Sequence, residues 1–331
     1  PSGWIDKQAV HAKHWMVATA NPLATKAGYD VLARGGNAVD AAIAVQLVLG
    51  LVEPQSSGIG GGAFLLLHDA RGRRLLAYDG RETAPAAARP DRFLKGGRPL
   101  DFFDAVIGGR SVGVPGVVRL LETVHRKHGR LSWASLFAPA IALADRGFAM
   151  SPRLHLVAGS DRYISQPRLR AYLFDANGKV LPAGTILRNP AYARTLRAIA
   201  AGGADAFYTG AIAQDIVDTV TQHPFNPGDM TLADLAAYRV VVRKPVCGGY
   251  RAYRVCGFPA PSSGGIAVLQ MLGMLERFDV GAMAPAGFWS VHFMSEAGRL
   301  AFADRSVYMA DPAFYTPPAG LLDPAYLAAR S

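Results

Sequence analysis

The chain has 331 residues, half of them hydrophobic and 18% charged, with 36 glycines and a formal net charge of +10 at pH 7. That length allows one large domain or two ordinary ones, and the composition is that of a globular α/β protein, not a disordered one. A nucleic-acid surface would cluster its Lys and Arg, whereas here they are scattered singly or in short runs such as Arg71, Arg73 and Arg74, which points to a solvated basic surface.

Asn21 followed by Pro22 predicts an N-cap and first helical turn, and the helix stops at Gly35 and Gly36. A second helix is expected over 37–52, apolar on nearly every side except at Asp40 and Gln46, and ended by Pro54. Such a helix belongs in the centre of a domain, and Asp40 inside it requires a structural hydrogen bond. With those two polar side chains it is no bilayer span, and no other stretch is long and apolar enough to be one.

Strands are expected over 63–68 and 75–79, joined by a turn at 69–73. Helices follow over 115 to about 128, 133–146 behind Ser132, and 190–201 behind Asn189, each stopped by a glycine: Gly129, Gly147 and Gly202. After a helix over 211–222, Thr231 and Asp234 have capping-box spacing for a short helix over 232–238. Residues 239–246 and 253–258 are β-rich, 259–265 form a rigid turn, and 266–278 and 288–308 are helical. With no internal repeat and no low-complexity linker, the expected organisation is one domain over 1–331.

The two cysteines, Cys247 and Cys256, flank a segment with the look of a hairpin whose tip is Arg251 and Ala252. A two-residue loop sets Cys247 directly opposite Cys256 on a non-hydrogen-bonded pair, where side chains approach closest. A cross-strand disulfide and two buried free thiols both fit, because a register slip of one residue would separate them.

Familiar metal-site and redox signatures are missing. The sequence has no HExxH or CxxC, and the close pair His125 and His128 lies near a helix end, where histidine complements the dipole. The glycine run Gly58, Gly60, Gly61 and Gly62 precedes a strand, so it is not a phosphate loop opening a helix. Close backbone packing is the favoured role for it, and amides facing a ligand the alternative.

The motifs ATANPLATKAGYDVLARGGNAVDAAIA, EPQSSGIGGGAFLLLHD, DGRETAP, SVGVPGVV, DLAAYRVVVRKPV and YRVCGFPAPSSGGI, with ADRSVYMADP near the end, resemble in this order the large-subunit motifs of gamma-glutamyltransferases. The resemblance runs from about Met16 to Arg330. It implies the α/β fold of the N-terminal-nucleophile hydrolases, a four-layer αββα sandwich completed by a separate small subunit. That subunit is cut from the same precursor and begins with the nucleophilic Thr. The family's small-subunit opening, T-T-H-x-S, does not occur here, so no catalytic nucleophile is expected on this chain.

The implied reaction transfers the γ-glutamyl group of glutathione or a related amide to water or an amino acid, with no metal or organic cofactor. Arg81 of DGRETAP is the substrate-binding residue the resemblance supplies, for the donor's α-carboxylate. By residue type alone it would be an ordinary surface or ion-pair arginine. Glu82 beside it either shapes the pocket or serves as a framework salt-bridge partner. PSSGG is expected to be a helix N-cap turn, since the family's oxyanion glycines lie on the small subunit.

A cephalosporin acylase of the same family is the nearest alternative, and a non-catalytic binding subunit is the alternative of another class. A chain that begins at Pro1 fits a cleaved signal peptide or a trimmed end, and a periplasmic or secreted location is expected.

Overall fold

Two asparagines open the helices around which the first part of the chain is built. In the computed structural model, which describes residues 8–160 and 167–331, the Asn21 side chain accepts from the Leu23 N–H at 3.0 Å to start Pro22–Ala33. Asn37 accepts from the N–H groups of Val39 and Asp40 to start Ala38–Val52. Asp40 returns the bond by accepting from the Asn37 N–H at 3.0 Å, and it accepts also from the N–H groups of Arg130 and Leu131 at 3.1 and 3.3 Å. Asp40 is fully buried, and these donors are what make that tolerable for a carboxylate.

The chain divides into two units. One holds the described residues up to 63 together with 80–240, and the other holds 64–79 together with 241–331. In the first, Ala38–Val52 packs on Pro22–Ala33, Val117–His128 and Ala138–Arg146, and Ile43, Leu47 and Val48 are closed to solvent. Pro190–Gly202, Asp205–Tyr208, Gly210–Thr221 and Leu232–Ala237 add further helices to this unit.

Two expected helices begin late. Residues 133–136 form a 3₁₀ turn, and the α-helix starts at Ala138, where Pro139 suits the first turn. The helix expected from 115 starts at Val117, behind Gly116. An additional helix, Pro152–Ser160, is capped by the Ser151 hydroxyl, which accepts from the Leu154 N–H at 3.0 Å.

In the second unit the strands Ala63–Asp69, Arg74–Gly80 and Val241–Arg243 form a sheet in that order, with Ala77 opposite Arg243 in an antiparallel pair. The β-rich stretch 239–246 therefore splits, because its later part enters the hairpin Val246–Tyr250 with Tyr253–Gly257. Cys247 faces Cys256 with Cα atoms 4.1 Å apart, and the two are disulfide-bonded. Gly264–Leu275 packs against Phe288–Tyr308 and Pro324–Arg330 over Ala267, Met274, Leu275, Ala297, Ala301 and Leu327.

The PSSGG turn does precede this helix, but Ser263 makes no capping bond. Its hydroxyl accepts instead from Nε of Arg305 at 2.9 Å. Among the described residues no sheet exceeds three strands, and no helix is long and apolar enough to cross a membrane.

Candidate functional site

Arg81 and Glu82 follow directly on the Arg74–Gly80 strand, and both are exposed. The backbone that carries them is anchored at several points. The Tyr238 hydroxyl donates to the Arg81 carbonyl oxygen at 2.7 Å. Thr83 and Val114 exchange N–H to carbonyl bonds in both directions, at 3.3 and 2.8 Å. The Ala86 N–H donates to Oδ1 of Asp234 at 2.9 Å.

Asp234 belongs to the expected capping box. Its Oδ2 accepts from the N–H and the hydroxyl of Thr231, both at 2.8 Å, at the start of Leu232–Ala237. Burial works to raise its carboxyl, but the donors from Ala86 and Thr231 outweigh that and hold it below the usual carboxylate range.

The glycine run lies against the same segment. The Gly61 carbonyl accepts from the N–H groups of Gly116 and Val117 at 2.9 and 3.1 Å, satisfying two donors at a helix start that no side chain caps. A Cβ on Gly62 would collide with the Glu82 carboxylate, and one on Gly116 would run into the Gly80 carbonyl oxygen and the Tyr238 hydroxyl. Within the run the packing role is displayed at Gly62, while Gly60 has open space where a Cβ would stand and Gly58 and Gly61 make only ordinary contacts. Behind Tyr238, the Tyr208 ring stacks at 5.9 Å between centroids with planes 9° apart. The Tyr208 hydroxyl, its pKa raised by burial, donates to the Pro115 carbonyl at 2.8 Å and accepts from the Arg119 N–H at 3.2 Å.

Arg119 pairs in turn with Glu122 and Asp205 at 3.1 and 2.8 Å, and its hydrogen bond lowers the Asp205 carboxyl.

The chemistry this arrangement offers is recognition. A guanidinium can offer paired donors to a planar anion, and Arg81 is an exposed residue on a backbone held at its carbonyl. Glu82 stands beside it against Gly61 and Gly62. The sequence reading left Tyr238 without a role and gave Asp234 only that of a capping-box partner. Their signal was present in the DLAAY string, but the partners lie 157 and 148 residues away. The close pair His125 and His128 is not part of this site: His125 Nε2 lies 2.9 Å from the Leu131 carbonyl oxygen, and its ring packs on Trp133. Among the described residues no three His, Cys, Asp or Glu side chains gather as metal ligands.

Comparison with known proteins gives one consistent family. The gamma-glutamyltranspeptidase family model matches residues 24–331. The glutathione hydrolase proenzyme of Bacillus subtilis (strain 168) is 40% identical over 327 residues, covering 98% of this chain and 55% of the relative. The acylase ACY 1 proenzyme of Pseudomonas sp. (strain SE83) is 38% identical over 330 residues, covering 97% of this chain and 58% of the relative.

The crystal structure of Helicobacter pylori gamma-glutamyltranspeptidase matches with a TM-score of 0.91 at 35% identity, over 98% of this chain and 92% of that one. This chain spans about half the length of the curated relatives it matches. The backbone agreement gives it the α/β fold class of the N-terminal-nucleophile hydrolases.

Proposed function

The chain belongs to the gamma-glutamyltranspeptidase family, and from that premise we propose that residues 1–331 act as one domain, the large subunit of a self-cleaved gamma-glutamyltransferase and glutathione hydrolase. The nucleophile is the N-terminal Thr of the small subunit from the same precursor, with its own α-amine as base. Its hydroxyl adds to the γ-glutamyl carbonyl, the amide C–N bond breaks, and the leaving amine takes the proton. The ester so formed passes its acyl group to water or to an amino acid. This sequence of steps needs no metal or organic cofactor.

Arg81 binds the donor's α-carboxylate, so that the scissile carbonyl meets the nucleophile, and Glu82 shapes the same pocket. The observation that carries this is the exposed Arg81 on a backbone held at Arg81, Thr83 and Ala86, within the family's DGRETAP motif. A partner subunit is supported by apolar side chains left in solvent on Phe288–Tyr308, where Phe288, Trp289 and Val307 are 74%, 59% and 67% exposed. The Cys247–Cys256 disulfide supports maturation in an oxidising compartment, the periplasm or outside the cell.

A second reading, a cephalosporin acylase, is favoured by the acylase relative, which matches this chain over nearly the same extent. Expression of the whole precursor, followed by N-terminal sequencing and assay, tests both. Two chains are expected, the smaller beginning with Thr, that together release glutamate from glutathione faster than they hydrolyse a cephalosporin side-chain amide. The reverse preference would establish the acylase, and a fully active preparation containing this chain alone would overturn either.

A further inference from the structure

We propose that Tyr238 is a positioning residue for donor binding, acting through the Arg81 main chain, with Asp234 as the second point of the same clamp. The proposal rests on the carboxylate-binding role of Arg81 given above.

Leu232–Ala237 is only six residues long, too short to be stable by itself, yet both its ends reach the segment that follows the Arg74–Gly80 strand. At its start the Asp234 carboxylate receives the Ala86 N–H, and just past its end the Tyr238 hydroxyl donates to the Arg81 carbonyl oxygen. Tyr238 is 4% exposed and Arg81 is exposed. The hydrogen bond therefore joins a fixed interior group to the backbone of a residue whose side chain faces outward.

A carbonyl held in this way sets the peptide plane after Arg81. With the Thr83 and Val114 exchange two residues on, it fixes the direction of the Arg81 Cα–Cβ bond. A long arginine side chain loses much rotamer freedom on gripping a carboxylate, and a fixed root lowers that cost. Tyr238 is itself fixed: its ring stacks on Tyr208, whose hydroxyl is bound to Pro115 and Arg119, and Gly116 leaves room for the Tyr238 hydroxyl where any Cβ would not. A purely structural tyrosine would be satisfied by any carbonyl. This one uses the carbonyl of the residue assigned to substrate.

Tyr238→Phe keeps the stacked ring and removes the hydrogen bond donated to the Arg81 carbonyl, and Asp234→Ala releases the other end of the clamp. Both are compared with Arg81→Lys in the processed two-subunit enzyme, using glutathione and its analogue with the γ-glutamyl α-carboxylate converted to an amide. Tyr238→Phe is expected to lower kcat/KM for glutathione about three- to tenfold, chiefly through KM, and to leave the amide analogue within about twofold. In the Arg81→Lys background the same substitution should have little further effect, because both act on one contact. Asp234→Ala should reproduce the pattern more weakly.

Equal losses on both donors, or losses that multiply in the double variant, would overturn the positioning role. So would a Tyr238→Phe enzyme with unchanged kinetics beside an impaired Arg81→Lys. If Arg81→Lys itself handles glutathione normally, the carboxylate reading fails first and the positioning role falls with it.

Discussion

Two charged sites in the family motifs use their bonds in opposite ways. Asp304, in ADRSVYMADP, is 7% exposed, and its carboxylate is taken up internally. It accepts from Gln270 and from the Tyr326 hydroxyl, both at 2.8 Å, and from Arg330 at 3.0 Å. Arg81, in DGRETAP, has its main-chain carbonyl held by Tyr238 while its side chain reaches solvent. A side chain whose charge is spent inside the protein supports the fold. Arg81 is an exposed residue whose main-chain carbonyl is held, and the role proposed for it is recognition.

The contrast makes opposite demands on substitution. Arg81→Lys should fold and process normally, with an unchanged melting temperature, yet lose about 2–5 kcal/mol of transition-state binding. That is roughly a thirtyfold to several thousandfold fall in kcat/KM for glutathione. Asp304→Ala should do the reverse. Breaking a mostly buried ion pair costs about 3–5 kcal/mol, and because Arg330 keeps 30% of its surface, a loss of about 2–3 kcal/mol in chemical denaturation is expected, with kinetics of the folded fraction near normal. If Asp304→Ala impaired turnover as strongly as Arg81→Lys, the division between the two sites would collapse.

Acid provides the mildest test. The folded Asp234 carboxyl lies below its ordinary value, so its charge stabilises the fold fully above the unfolded carboxylate range and ceases to do so as pH falls through that range toward the folded pKa. The melting temperatures of wild type and Asp234→Asn should therefore differ near pH 7 and converge as pH falls from the ordinary carboxylate range through the lowered folded pKa. A gap that does not change with pH would mean that the capping box draws nothing from the charge.

Much of this was legible in the sequence where the signal is local. Asn21 and Thr231 cap the helices their spacing announced, because a cap needs only the next three residues; Asn37, read as the first helical residue, is a cap too. The two-residue hairpin loop was enough to set Cys247 against Cys256, although only the structure chose the bridge over free thiols. What the sequence could not reveal depends on distance along the chain. Nothing near Val241 indicates that it will pair with Asp79, and the Tyr238 and Arg81 contact joins residues that no local pattern connects. The PSSGG turn precedes its helix as expected, but the Ser263 hydroxyl makes no capping bond and accepts from Arg305, 42 residues away.

The central claim is that Arg81 reads the donor's α-carboxylate, and it is tested most directly by a ratio. The measurement is kcat/KM for glutathione divided by kcat/KM for its α-amide analogue, in wild type and in Arg81→Gln, which removes the charge and the paired donors together. The account predicts a large ratio in wild type that falls about thirtyfold or more in the variant. A variant that processes normally and keeps the wild-type ratio would contradict it.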